Sequence, residues 1–177
     1  WRCVAARVNR SLEAESRADR LRYLPAGLAL AVLVERAIQG NVEGLSGSPR
    51  DVVRQLMVDD VHETELGAYF VGLLNVASLY GTSPAGGWAP SGVSDGLKRA
   101  LQNLAWEMAS ADLGADGSDM TSCRAHMRDN YCAAYNTYVG RQQDIASCQA
   151  LFDSTSADNP FRFDAATDAG YWFPAPR

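Results

Sequence analysis

Glu35 is the side chain best placed to do chemistry. It lies near the end of a strongly apolar run, Leu24 to Ala37, broken only by Glu35 itself and Arg36. On a buried helix a carboxylate there would lose hydration, and its pKa would rise. A carboxyl that stays protonated near neutral pH is the general acid a glycosidase needs. The plainer use of the same residue is a helix-edge carboxylate beside the Arg36 guanidinium. Other constellations are incomplete. His62-Glu63-Thr64-Glu65 lacks the second histidine of the zinc pattern His-Glu-x-x-His, and its acids suit a helix N-terminus. Cys123 and His126 would supply two metal ligands, whereas a closed zinc site wants four, and disulfides use the same sulfurs. A Cys–His nucleophile on that pair lacks an orienting third group. Asp112 to Asp119 begins like a calcium loop, yet Gly114 stands third and Cys123 at the closing position, so helix capping is the expected use. There is no Gly-rich phosphate loop and no Gly-x-Ser-x-Gly elbow. Neither a cofactor nor a metal site is expected.

Four further strings bear on Glu35. The run Leu24-Pro25-Ala26-Gly27-Leu28-Ala29-Leu30-Ala31-Val32-Leu33-Val34-Glu35 resembles the helix ending in the catalytic glutamate of lytic transglycosylases and goose-type lysozymes. Ser46-Gly47 falls where that family has a Ser/Gly turn. Gly67-Ala68-Tyr69-Phe70-Val71-Gly72-Leu73-Leu74 is similar to its cleft-lining helix, and Ala133-Ala134-Tyr135-Asn136 to its substrate motif. The resemblance implies peptidoglycan as substrate, Glu35 as general acid, and Tyr135 and Asn136 as glycan contacts. Three departures bear on activity. Arg36 stands where the family places Ser, only Gln55-Leu56-Met57 remains of its Gly-Leu-Met-Gln block, and a long segment separates Tyr80-Gly81 from the Tyr-Asn pair.

The elements that would position these residues read as helices. Val4, Val8, Leu12 and Leu21 form one stripe over residues 4–22. Pro25 opens a second helix that Gly40 closes. Ser48-Pro49-Arg50-Asp51 is a start signal, with Ser as N-cap and Pro in the first turn. A fourth helix is expected over about 64–80, a fifth over 94–109, a sixth over 119–139 and a short seventh over 141–152. Residues 82–92 hold Pro84, Gly86, Gly87, Pro90 and Gly92 and read as a loop. No window sustains strand alternation. The expectation is a single compact all-α domain of six or seven helices over 1–152, followed by an extended arm over 153–177.

The cysteines are Cys3, Cys123, Cys132 and Cys148. Cys123 and Cys132 on one regular helix would lie on opposite faces, about 13 Å apart along the axis, too far to bond each other. A helical hairpin turning at Gly140 brings Cys132 level with Cys148, which leaves Cys3 to staple the first helix to Cys123. An even count with a workable pairing points to an oxidising, extracytoplasmic compartment.

Composition bounds what remains. The chain has 177 residues, 47% of them hydrophobic and 21% charged, with a net charge of -5, so it is a folded acidic globule. Lys98 is the one lysine among sixteen basic residues, and the arginines form no basic stripe, which argues against a nucleic-acid footprint. The longest apolar run is too short for a membrane span, which needs about twenty residues. The arm carries Phe161, Phe163, Tyr171, Trp172 and Phe173; it either wraps its own domain, the plainer reading, or docks on a partner, since these are aromatic types that anchor protein interfaces. The leading expectation is a non-catalytic, disulfide-stabilised helical protein that binds a protein partner outside the cytoplasm. The alternative is a peptidoglycan-cleaving, lysozyme-like enzyme acting through Glu35.

Overall fold

A computed structural model describes residues 1–113 and 119–167. The described residues are all-α: eight α-helices and no strand, with one isolated antiparallel bridge between Met57 and Glu63. The helices are α1 Arg2–Ala14, α2 Ala26–Ile38, α3 Pro49–Leu56, α4 Glu65–Tyr80, α5 Asp95–Leu113, α6 Met120–His126, α7 Cys132–Tyr138 and α8 Ile145–Leu151. None of them is long and apolar enough to cross a membrane. Contacts gather the chain into two compact units, one of residues 24–113 and one of residues 1–23 with 119–167.

The first unit holds α2 to α5 around a core that includes Leu33, Leu45, Val52, Leu56, Phe70, Leu74 and Leu101. Its helix starts follow from side-chain chemistry. Ser48 Oγ accepts from the Asp51 N–H, and the Asp51 carboxylate accepts from the Ser48 N–H, which closes a capping box in front of Pro49. The Ser48 hydroxyl, donating to the Asp51 carboxylate at 2.6 Å, and then the Ser48 N–H hold the Asp51 carboxyl below its ordinary pKa. Thr64 Oγ1 accepts from the Gly67 N–H and donates to the Gln55 carbonyl at 2.7 Å, tying the start of α4 to the end of α3. A Cβ at Gly67 would run into the Leu56 carbonyl oxygen, so this close approach requires glycine. The Gly- and Pro-rich loop of residues 82–92 is pinned from inside. Buried Gln102 accepts from the Gly86 N–H at 3.1 Å and donates to the Gly87 carbonyl and the Tyr69 hydroxyl, each at 3.3 Å. Tyr69 in turn donates to the Trp88 carbonyl at 3.0 Å.

The second unit holds α1, α6, α7 and α8. Its buried cluster is Cys123, Cys132, Phe152 and Phe161, packed with Cys3, Met120, Met127 and Cys148. Helix α1 ends eight residues before the limit of the apolar stripe that suggested it. Ser16 takes a left-handed φ of 57°, the Ser16 N–H donates to the Glu13 carbonyl, and the Arg17 N–H reaches back to the Leu12 carbonyl. This is a Schellman-type stop, here built on serine where glycine is usual. Beyond it, the Asn9 carboxamide clamps the backbone of Leu21, donating to its carbonyl at 2.9 Å and accepting from its N–H at 2.7 Å. Leu21 is therefore extended chain and leaves the helical stripe.

The expected sixth helix is present from Asp119 onward but is interrupted by a π-helical turn over Met127–Tyr131. That turn changes the geometry of the cysteines. Nine residues of regular helix rotate a side chain to the opposite face, yet Cys123 and Cys132 are both fully buried in the same cluster. One residue looped out by the π turn makes the spacing equivalent to eight, and the angle falls to about 80°. The expectation of opposite faces is corrected by that insertion.

Candidate functional site

Helix α2 buries Ala29, Leu33 and Ala37, a spacing of four that fixes its inner face. Glu35 lies two residues from Leu33, about 200° around the axis, and its side chain is exposed. Its contact is with Gln39, whose Nε2 donates to the Glu35 Oε1 at 3.5 Å. The burial expected of it is absent, because α2 packs its opposite face inward and leaves Glu35 in solvent beside exposed Leu28 and Ile38. Arg36 does not pair with Glu35 either. Its guanidinium forms a two-point pair with Glu107 on α5, at 2.8 and 2.5 Å. The hydrogen bond holds the Glu107 carboxyl below its ordinary pKa and raises that of Arg36.

Tyr135 and Asn136 belong to the other unit, and they face different ways. Asn136 is buried, and its Nδ2 donates to the Cys132 carbonyl at 2.9 Å, four residues back along its own helix. That amide nitrogen is committed to backbone, and the side chain expected to contact glycan is turned inward. Tyr135 is 48% exposed and stacks on Tyr131, itself 41% exposed, with ring centroids 5.3 Å apart and planes within 10°. Tyr138 follows at 90% exposure. The three tyrosines fall at i, i+4 and i+7, which is one face of a helix. The sequence pattern Tyr-x-x-x-Tyr-x-x-Tyr carries that face, and only its middle member was singled out above.

This tyrosine face is rigidly mounted. Cys3 is bonded to Cys123, tying α1 to α6, and Cys132 to Cys148, tying α7 to α8. Both pairs have Cα atoms 5.6 Å apart, and no described cysteine is free. The expected hairpin turn is present at Gly140, whose φ of 71° ends α7 while the Arg141 N–H donates to the Asn136 carbonyl. Two disulfides fit a non-reducing, extracytoplasmic environment.

The arm begins by packing on its own unit. Phe161 is only 6% exposed and stacks on Phe152 at 6.0 Å. Buried Asn159 pins the turn before it, accepting from the Phe161 N–H at 2.9 Å. The Phe163 ring lies 4.7 Å beneath the guanidinium of buried Arg7, which also donates to Ser11 Oγ at 2.6 Å. These two aromatics pack on their own unit, as an arm wrapping its own domain would place them, which leaves them less to offer a partner. Tyr171, Trp172 and Phe173 lie outside the described residues.

The remaining motifs resolve into local structure. His62 Nδ1 lies 2.8 Å from Asp59, whose carboxylate also accepts from the Val61 and His62 N–H groups and is held below its ordinary pKa chiefly by the histidine. Asp119 caps α6 by accepting from the Ser122 N–H and hydroxyl, as its place in the failed calcium pattern suggested. Among the described residues no group of three or more His, Cys, Asp or Glu side chains is placed to hold a metal ion.

No protein-family model, curated protein or solved structure matches this chain.

Proposed function

We propose that this protein is a non-catalytic helical module that works outside the cytoplasm by binding a protein partner through the tyrosine face of α7. The observation that carries the reading is the mounting of Tyr131, Tyr135 and Tyr138. Two disulfides hold the surrounding helices, and the three rings are exposed, Tyr138 almost fully and Tyr131 and Tyr135 by nearly half. A tyrosine side chain supplies a large apolar body with a polar end and loses little rotamer freedom on binding, which is why it recurs at interface anchors. Rigid placement removes part of the ordering cost that association otherwise carries. Tyr171, Trp172 and Phe173 extend the proposed contact. Peptidoglycan cleavage has less support, because the acid it requires is a solvated carboxylate on α2.

The experiment is affinity capture with quantitative mass spectrometry, using the oxidised full chain, a Tyr131→Ala/Tyr135→Ala/Tyr138→Ala variant, and a chain ending at Thr167. Ending the chain at 152 would remove Phe161 and open the core, so the cut belongs after Thr167. Selective loss of the same captured protein from the tyrosine variant supports the reading. An unchanged set of captured proteins in both altered forms refutes it.

A further inference from the structure

A solvent-open cleft of about 330 Å³ lies in the unit of residues 24–113, between the 82–92 loop and the N-terminal half of α5. Ala85 and Gly86 form one wall, and Asp95, Lys98, Arg99, Gln102 and Asn103 the other. The α5 residues are spaced i, i+3, i+4, i+7 and i+8, so they follow one face of the helix over more than two turns. The loop wall is fixed in advance by Gln102, which is fully buried and holds both Gly86 and Gly87.

The charges in this cleft do not neutralise one another. Asp95 is within helical reach of both Lys98 and Arg99, yet no ion pair joins it to either. Lys98, the chain's one lysine, is half-buried, and among the described residues its ammonium has no ion pair or hydrogen-bond partner. Among the described residues Arg99 has one ion-pair partner, the exposed Glu43 carboxylate at 4.0 Å, too far for a hydrogen bond. The Asn103 carboxamide is likewise uncommitted. One carboxylate, two cations and a carboxamide therefore face a common space of ligand size, against a wall that is already ordered.

We propose that this cleft binds a small zwitterion of the amino-acid class. Lys98 and Arg99, with the Asn103 amide, receive its carboxylate, and Asp95 receives its ammonium. A plain anion would leave Asp95 opposing it, and a plain cation would meet two like charges. Only a ligand carrying both signs uses every group present. An apolar ligand would desolvate these charges without pairing them.

The test is a titration of the full chain, uniformly labelled with nitrogen-15, followed by amide chemical shifts. Glycine is the zwitterionic probe, and acetate and methylammonium at matched ionic strength each carry one of its charges. Glycine is expected to shift Gly86, Asp95, Lys98, Arg99 and Asn103 saturably, with a millimolar dissociation constant at least about tenfold below those of the two singly charged probes. Asp95→Asn and Lys98→Met should each weaken glycine binding by about tenfold, the loss of one charge-assisted contact. Both side chains are solvent-accessible, and unchanged far-ultraviolet dichroism of the variants verifies their fold. Three results would overturn the proposal: no saturable shift up to about 50 mM glycine, acetate binding as tightly as glycine, or unchanged glycine affinity in either variant.

Discussion

The unit built from residues 1–23 and 119–167 should depend on its disulfides for its existence. Its buried cluster contains two cysteines and two phenylalanines, with α1 adding little beyond Ala5, Ala6 and Leu12. A core serving about seventy residues rarely supplies more than 3–5 kcal/mol. Chain-entropy arithmetic gives the scale of what the cross-links add. Cys132–Cys148, with a sequence separation of 16, restricts the unfolded chain by about 3 kcal/mol, and Cys3–Cys123, with a separation of 120, by about 5 kcal/mol. The larger figure applies only when everything inside the loop is unfolded. Residues 24–113 form their own compact unit within that loop, so while they stay folded the flexible loop is shorter and the figure falls toward the smaller one. Removing the short loop alone, with Cys132→Ala/Cys148→Ala, should therefore cost about 3 kcal/mol, most of what the core supplies. Alanine keeps the sites apolar, so the loss reports the cross-link more than a buried polar group. Hydrogen exchange read by mass spectrometry resolves the outcome by segment. Amides of α6, α7 and α8 should lose protection by about two orders of magnitude, the equivalent of about 3 kcal/mol, while those of α4 and α5 keep theirs. Equal protection of α6 to α8 in the variant and the parent would refute the argument that this core is too small to stand alone. Parallel loss in α4 and α5 would refute the independence of the two units.

Three further outcomes follow from particular contacts. Gln102→Leu keeps side-chain volume but deletes three long, neutral hydrogen bonds, and should cost about 2 kcal/mol in urea unfolding of residues 24–113; a change below about 0.5 kcal/mol would show that the 82–92 loop is held by other means. The pair between Arg36 and Glu107 sets a pH dependence: the folded Glu107 carboxyl titrates below its ordinary value of 4.5, so its stabilisation is complete above that pH and is lost as the pH falls through the folded value. Glu107→Gln should remove that part of the acid-side decline in melting temperature, and an unaltered decline would exclude the pair as its source. Incubation with purified peptidoglycan should release no muropeptides above a buffer control, and Glu35→Gln should change nothing; release that vanishes in the variant would establish Glu35 as an acid despite its exposure.

Sequence carried the fold furthest where one side chain decides a local event. Ser48, Pro49 and Asp51 announce the start of α3, and Gly40 and Gly140 the ends of α2 and α7, because caps and left-handed stops depend on residue chemistry within a few positions. Reach was lost where the deciding interaction is remote or unusual. Helix α1 stops on Ser16, a residue with weak preference for the left-handed region, and the clamp that finishes the job spans from Asn9 to Leu21. The π turn at Met127–Tyr131 has no simple sequence signature, yet it alone reconciles nine-residue spacing with two cysteines in one core. The exposure of Glu35 was hidden for a different reason. A helix that is apolar on nearly all sides gives no phase, so its sequence does not reveal which side will be buried. Phase came from α3, α4 and α5, the helices α2 packs against, which bury Ala29, Leu33 and Ala37 and leave Glu35 outside. Exposure runs the argument in reverse for the tyrosines. Asn136 turns inward to serve its own helix, and the same rotation that buries it leaves Tyr131, Tyr135 and Tyr138 together on the outer face. A single helix phase thus turns Asn136 inward and creates the surface on which the binding proposal rests.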